Sequence, residues 1–107
     1  PKARVILLKG TDEEYINYVN SKADGKTAAL CCDEDISQLK VKTFSLGKRK
    51  DYAQQAHRLF DMLREVDEVG GIDTAYSRLP SCEGVGMALY NRLIRAAGYE
   101  VIDLEKI

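Results

Sequence analysis

Two patterns of apolar and polar positions alternate along the chain. Short apolar runs predict β-strands, and segments in which apolar residues recur every three or four positions predict helices. The runs that predict strands are residues 4–9, 27–32, 39–45, 72–77 and 99–104. The periodic segments predict helices at about residues 12–22 and 50–69, and a third between the turn at Pro80-Ser81 and Gly98. Because strands that alternate with helices pair in parallel through right-handed crossovers, we expect a small three-layer α/β domain.

Local signals agree with these helices. Thr11 and Glu14 match a capping box, in which each side chain bonds a free backbone amide of the first turn. Gly25 stands where a glycine that ends a helix is expected. The stripe of the second helix that we expect to be buried comprises Tyr52, Ala56, Leu59, Phe60, Leu63 and Val66. His57, the single histidine, lies beside this stripe and is expected to be partly buried.

The composition is that of one ordinary globular domain. The chain has 107 residues and a formal net charge of −1, which argues against broad binding along a phosphate backbone. The longest apolar run, Val5–Leu8, is too short to span a membrane. No secretory signal precedes it, so a cytoplasmic location is expected. Three cysteines without CxxC spacing predict neither a disulfide framework nor a zinc site.

Candidate ligand-binding residues follow the predicted strands, since open α/β sheets bind ligands at the carboxyl ends of their strands. Gly84-Val85-Gly86 resembles part of a dinucleotide-binding turn, whose glycines let a pyrophosphate approach backbone amides. Leu89 replaces the third glycine, and close packing of the helix against a strand is the simpler interpretation. The crevice that would bind a nucleotide or pyrophosphate is lined by Ser45, Gly47, Lys48, Arg49, Gly84 and Gly86.

The loop before the second helix has two further interpretations. Lys48-Arg49-Lys50 places three cations where the helix dipole favours anions, which is mild support for an anionic partner. A solvated basic loop, however, needs no partner. Contact of these cations with tRNA is a weaker alternative because of the net charge.

Acidic and thiol groups after the second strand have structural explanations. Asp33-Glu34-Asp35 could bind a divalent cation, but nothing completes a coordination sphere, which favours a solvated acidic loop. Acidic neighbours raise the pKa of a thiol, so buried packing of Cys31 and Cys32 is favoured over a nucleophile. We therefore predict no metal site and no catalytic residue in this chain.

Basic residues on two helices form a candidate docking surface. Arg64 is expected to pair with Asp67 and Glu68 on the second helix. Asn91, Arg92 and Arg95 cluster on the face of the third helix opposite its apolar stripe, so this patch either faces solvent or docks another domain.

Three blocks of sequence resemble one family in order and spacing. They are Ser45-Leu46-Gly47, the segment 56–67 (AHRLFDMLREVD) and the segment 83–93 (EGVGMALYNRL). Together they resemble the C-terminal Sua5 domain of the Sua5 branch of the Sua5/YrdC/YciO family, the threonylcarbamoyl-adenylate synthases. Glu83 belongs to the third block, and we include it among the candidate docking or ligand residues. Pro1-Lys2-Ala3 resembles the tail of the linker that precedes this domain.

The resemblance implies a division of labour. Residues 1–3 would end the interdomain linker, and residues 4–107 would form a Rossmann-like accessory domain with a mostly parallel sheet of about five strands and three main helices. A YrdC-like catalytic domain of the same polypeptide would bind ATP, magnesium and L-threonine and make threonylcarbamoyl-AMP for the t6A modification of tRNA. The accessory domain would dock on that catalytic domain and modulate it, with no cofactor of its own.

Overall fold

The structure, a computed structural model, describes residues 2–80 and 84–107. These residues form a sheet of five parallel strands in the order β3-β2-β4-β1-β5. The strands are β1 (Arg4–Lys9), β2 (Thr27–Cys31), β3 (Lys42–Ser45), β4 (Thr74–Arg78) and β5 (Val101–Asp103). The helices are α1 (Asp12–Ser21), α2 (Tyr52–Val69) and α3 (Met87–Ala96), with 3₁₀ helices at Asp33–Gln38, Gly84–Gly86 and Leu104–Lys106. The predicted α/β class is confirmed.

Alternation along the central strands creates two apolar cores. On β1, Val5 and Leu7 pack in the core that also contains the buried faces of α2 and α3. Ile6 and Leu8 point to the opposite core, which contains the buried face of α1. Because successive side chains of a strand point to opposite faces, one apolar run contributes side chains to the cores on both faces of the sheet. The three-layer arrangement expected from the sequence is therefore present.

The start of α1 follows the predicted local chemistry. Thr11 Oγ1 accepts a hydrogen bond from the Glu14 amide at 3.1 Å, and Glu14 Oε1 accepts one from the Thr11 amide at 2.8 Å. The capping box is thus confirmed. The predicted end of the helix near residue 22 agrees with the structure, in which Lys22 is the C-cap, but the expected capping role of Gly25 is wrong, because Gly25 lies three residues further on, in the turn to β2. Gly25 has φ +80°, a conformation that suits glycine.

Two positions of α2 are more exposed than predicted. Phe60 is 56% exposed, whereas its predicted stripe partners Leu59 and Leu63 are buried. Phe60 lies about 100° around the helix from Leu59, which places it at the edge of the buried face. His57 is exposed rather than partly buried. A periodic pattern locates the centre of a buried face better than its edge.

The third predicted strand is shorter than expected. Residues 33–38 form a 3₁₀ helix and β3 begins only at Lys42, so Leu39 and Val41 precede the strand. Both side chains nevertheless pack against the α1-side core. Their apolar character therefore reflects burial outside the sheet. Among the residues described, no helix is both long enough and apolar enough to cross a bilayer.

Candidate functional site

A cavity of about 190 Å³ lies at the carboxyl edge of the sheet. The ends of β2 and β4 and the first turns of α1 and α2 contribute its lining, which includes Leu30, Ser77 and Gln55. This is the edge at which open parallel sheets bind ligands. The volume is nevertheless smaller than the roughly 300–1,000 Å³ typical of sites for drug-sized ligands.

Tyr15 of α1 forms part of the cavity wall and joins β2 to β4. Its buried hydroxyl donates to the carbonyl oxygens of Leu30 and Tyr76, at 2.9 and 3.0 Å. Burial raises the pKa of Tyr15 well above its ordinary value. The phenol is therefore a structural hydrogen-bond donor.

Arg49 connects two acidic residues at the mouth of the cavity. Its guanidinium pairs with Asp35 and, through Nη1, with Asp12 Oδ2 at 3.2 Å. Arg78 Nη1 donates to the other oxygen of Asp12 at 2.6 Å, and Arg78 Nε donates to the Gly10 carbonyl at 2.8 Å. Charged groups at or after the ends of β1, β2, β3 and β4 thus form one network. We call Asp12, Asp35, Arg49 and Arg78 the ion-pair network.

Burial is uneven across this network. The Asp35 side chain is 7% exposed, whereas that of Arg49 is 32% exposed. Burial lowers the pKa of Arg49, but Asp35 and Asp12 outweigh it and raise this pKa overall. Arg49 Nε is buried and has no hydrogen-bond partner within the described part of the chain. The predicted interpretation of residues 33–35 as a solvated acidic loop is wrong for Asp35, which is buried against Arg49.

Ser45 and Gly47 hold the loop that presents Arg49. The Gly47 amide donates to Ser45 Oγ at 3.1 Å, Ser45 Oγ bonds the Asp33 carboxylate, and the Asp33 amide donates to the Gly47 carbonyl at 2.9 Å. Gly47 has φ +115°, and an added Cβ would lie 2.1 Å from Gln54 Oε1. Gln54 Oε1 itself accepts the Lys48 amide at 3.1 Å. The structure thus gives Ser45 and Gly47 an internal role.

The cation run before α2 is balanced by acidic partners. Glu34 accepts the Arg49 amide at 3.0 and 3.2 Å, and Asp51 caps α2 by accepting the Gln54 amide at 2.9 Å. Lys48 is exposed. The conflict between these cations and the helix dipole is therefore offset by neighbouring carboxylates.

Cys31, the last residue of β2, and Cys32, the next residue, are held as neutral thiols. Burial first, and the Asp35 charge second, raise the pKa of Cys31 to about 12 and that of Cys32 to about 11. Because the thiolate is the nucleophilic form, neither group is activated at neutral pH.

The predicted glycine turn starts a short 3₁₀ helix that leads into α3. Gly84 is exposed with φ +58°, and an added Cβ there would meet no described atom within 4 Å. Gly84 therefore supplies a backbone conformation, and the expectation of close packing is wrong at this position. Gly86 is buried at the N-cap of α3. Glu83 lies outside the described residues.

A second candidate surface is the open groove between α2 and α3, of about 700 Å³. We call it the α2/α3 groove. Its lining comprises Phe60, Leu63, Arg64, Asp67, Arg92, Arg95 and Ala96. Arg92 lines this groove, and its Nη1 donates to the Ala56 carbonyl of α2 at 3.0 Å. Asn91 is exposed on α3. The predicted partner of Arg64 is wrong: Arg64 Nη1 pairs with Asp61 at 3.1 Å.

The candidate residues therefore separate into two groups. Of those predicted to line a nucleotide crevice, Arg49 is the one that lines the described cavity, and it is already paired with two carboxylates. Arg64 and Arg92 meet in the α2/α3 groove. Asp12 and Arg78 fall within residues 10–12 and 76–86, which the sequence places at the carboxyl edge of the sheet, but neither was singled out as a site residue.

These features define a small parallel α/β domain with helices on both faces and charged groups at its carboxyl edge. The family model described as "Threonylcarbamoyl-AMP synthase, C-terminal domain" matches residues 1–98, and the chain belongs to this family. No curated protein matches the chain.

Solved Sua5 structures share the fold. A variant of P. abyssi Sua5 has a TM-score of 0.75 and 26% identity, over 96% of this chain and 30% of that chain. P. abyssi Sua5 complexed with L-threonine has a TM-score of 0.68 and 27% identity over the same shares. The C-terminal Sua5 domain of a hypothetical Pyrococcus horikoshii Sua5 protein has a TM-score of 0.68 and 24% identity, over 96% of this chain and 98% of that chain. The chain thus spans about 30% of the P. abyssi proteins.

Proposed function

We propose that this domain has no reaction of its own and instead docks on, and modulates, a catalytic domain in the same polypeptide. In this proposal residues 1–3 end the linker and residues 4–107 form the accessory domain. A YrdC-like domain binds ATP, Mg²⁺ and L-threonine and makes threonylcarbamoyl-AMP, so the link to tRNA is indirect. The match to a C-terminal domain family, together with the 30% share of the P. abyssi chains, supports this assignment.

The observation that carries the proposal is the state of the carboxyl edge. At the place where an α/β enzyme would present its reacting groups, four charged side chains pair with one another. The thiols beside them have pKa values of about 11 and about 12, too high for a nucleophile at neutral pH. These charged groups hold loops in place, which favours a structural role for this domain over a catalytic one.

The test compares three proteins in one assay: the intact polypeptide, the same polypeptide cut before residue 4, and this chain alone. Pyrophosphate release is measured with ATP, L-threonine and bicarbonate. We expect no turnover by this chain, and kcat/KM values that differ between the intact and truncated proteins. Turnover by this chain would contradict the absence of catalysis, and equal kcat/KM values would contradict modulation.

A further inference from the structure

The α2/α3 groove combines an exposed aromatic ring with a cationic rim. Phe60 is 56% exposed at the middle of α2, and Leu63 and Ala96 extend the apolar strip beside it. Phenylalanine and arginine are both enriched at protein–protein interfaces relative to the rest of the surface. The groove therefore has the composition of a docking site.

The charge of the groove selects the chemistry of its partner. Its lining carries Arg64, Arg92 and Arg95 against the single acid Asp67. Asp67 is engaged, because its carboxylate accepts the backbone amides of Lys2 and Ala3 at 2.9 and 3.1 Å. The Arg64–Asp61 pair is exposed on both sides, so Arg64 can exchange its partner at little cost. An acidic partner would complement this rim.

The path of the chain indicates where such a partner comes from. The hydrogen bonds from residues 2–3 to Asp67 hold the start of the domain against the last turns of α2, at one end of the groove. A linker that leads into residue 2 would therefore reach the domain beside the groove. In the P. abyssi Sua5 chains, about 70% of the length lies outside the matched region.

From these observations we propose that the α2/α3 groove is the interdomain docking surface, and that it binds an acidic, apolar patch of the catalytic domain in the same polypeptide. This inference rests on the proposed function and names the surface that carries it. Because the two domains would belong to one polypeptide, docking would be intramolecular, and a short flexible linker gives an effective concentration of roughly millimolar, at which a modest groove suffices.

The test is hydroxyl-radical footprinting of the intact polypeptide and of this chain alone, with oxidation at Phe60 read by mass spectrometry. The P. horikoshii domain, solved as a chain of similar extent, indicates that such a domain folds by itself. We expect a several-fold loss of Phe60 oxidation in the intact polypeptide, with Ile36, which is 42% exposed outside the groove, unchanged. Equal oxidation of Phe60 in both proteins would overturn the inference.

A pair of double variants of the intact polypeptide tests the role of charge. Arg64→Glu with Arg95→Glu reverses two exposed charges of the rim, whereas Lys26→Glu with Lys40→Glu reverses two exposed charges elsewhere. Loss of two exposed rim ion pairs should weaken docking by about tenfold, so only the first variant should restore Phe60 oxidation. Persistent protection of Phe60 in the Arg64/Arg95 variant, or an equal loss of that protection in the Lys26/Lys40 control, would overturn the inference.

Two further outcomes distinguish this inference from a nucleic-acid surface and from modulation through another surface. Protection of Phe60 in the isolated chain by added tRNA would overturn it in favour of a nucleic-acid surface. An unprotected Phe60 alongside kcat/KM values that still depend on residues 4–107 would reject the groove and leave the proposed function standing.

Discussion

Replacing Arg49 with methionine tests the ion-pair network directly. The Arg49→Met change keeps most of the side-chain stem but, among the described residues, leaves the buried carboxylate of Asp35 with one hydrogen bond, from the Cys32 amide at 3.3 Å. Removing one partner of a buried ion pair costs about 3–5 kcal/mol. Because the Arg49 side chain is 32% exposed, solvent screening lowers the expected loss to about 2–3 kcal/mol.

The assay is urea denaturation followed by circular dichroism. A loss of this size is a large part of the roughly 5–15 kcal/mol that stabilises a domain, and it corresponds to a fall in Tm of about 8–12 °C. The m-value should not change, since the surface exposed on unfolding is the same. Lys50→Met, at an exposed neighbouring position, is the matched control and should stay within about 0.5 kcal/mol of the wild type.

A second substitution decides whether the loss arises from the pair. Asp35→Asn removes the buried charge, so Arg49→Met should cost less in that background, by about 1–2 kcal/mol. Strictly additive losses, or an Arg49→Met protein as stable as the Lys50→Met control, would refute the reasoning that the buried carboxylate depends on Arg49.

Three other expectations follow from single contacts. Gly47→Ala should destabilise the domain by about 1–3 kcal/mol. In the same denaturation assay Gly25→Ala should cost less, because both glycines have positive φ but only Gly47 faces a nearby side chain. Equal losses of stability would contradict the steric argument. Cys32, with a pKa of about 11, should react with iodoacetamide at pH 8 far more slowly when folded than in urea, because little thiolate forms; equal rates would contradict the raised pKa. Hydrogen bonds from the amides of residues 2–3 lower the pKa of Asp67 below its ordinary 3.8. The stability that the charged Asp67 contributes is therefore fully present above the ordinary pKa and is lost as pH falls through the lowered pKa. The NMR shifts of the amides of residues 2–3 should accordingly titrate in acid, and Asp67→Asn should abolish that titration.

The helices and strands were largely predictable because they depend on local patterns. The capping box at Thr11 and Glu14 and the stripe formed by Leu59, Leu63 and Val66 require only neighbours a few positions away, and the structure confirms them. Phe60 was predicted wrongly because its exposure depends on where α3 packs, and the periodicity of α2 does not contain that information.

The ion-pair network was less predictable for the same physical reason. Arg49 and Asp35 are separated by β3, and Asp12 and Arg78 reach the same point only after the sheet has formed. From the sequence, each residue has an adequate local explanation, such as a first-turn acid or a solvated loop. Only the strand order brings these residues together, and the local patterns of a single sequence do not reveal that order.

That strand order also constrains how the chain is made. The only neighbours of β1 in the described sheet are β4 and β5, with Arg4 opposite Thr74 and Leu7 opposite Val101. As the polypeptide emerges from the ribosome, the first strand must therefore wait for β4, which begins at residue 74, before it can pair. Pairing between such distant segments is intrinsically slow and leaves an apolar strand open to aggregation in the meantime. The nascent domain should consequently remain prone to aggregation at least until β4 has been synthesised.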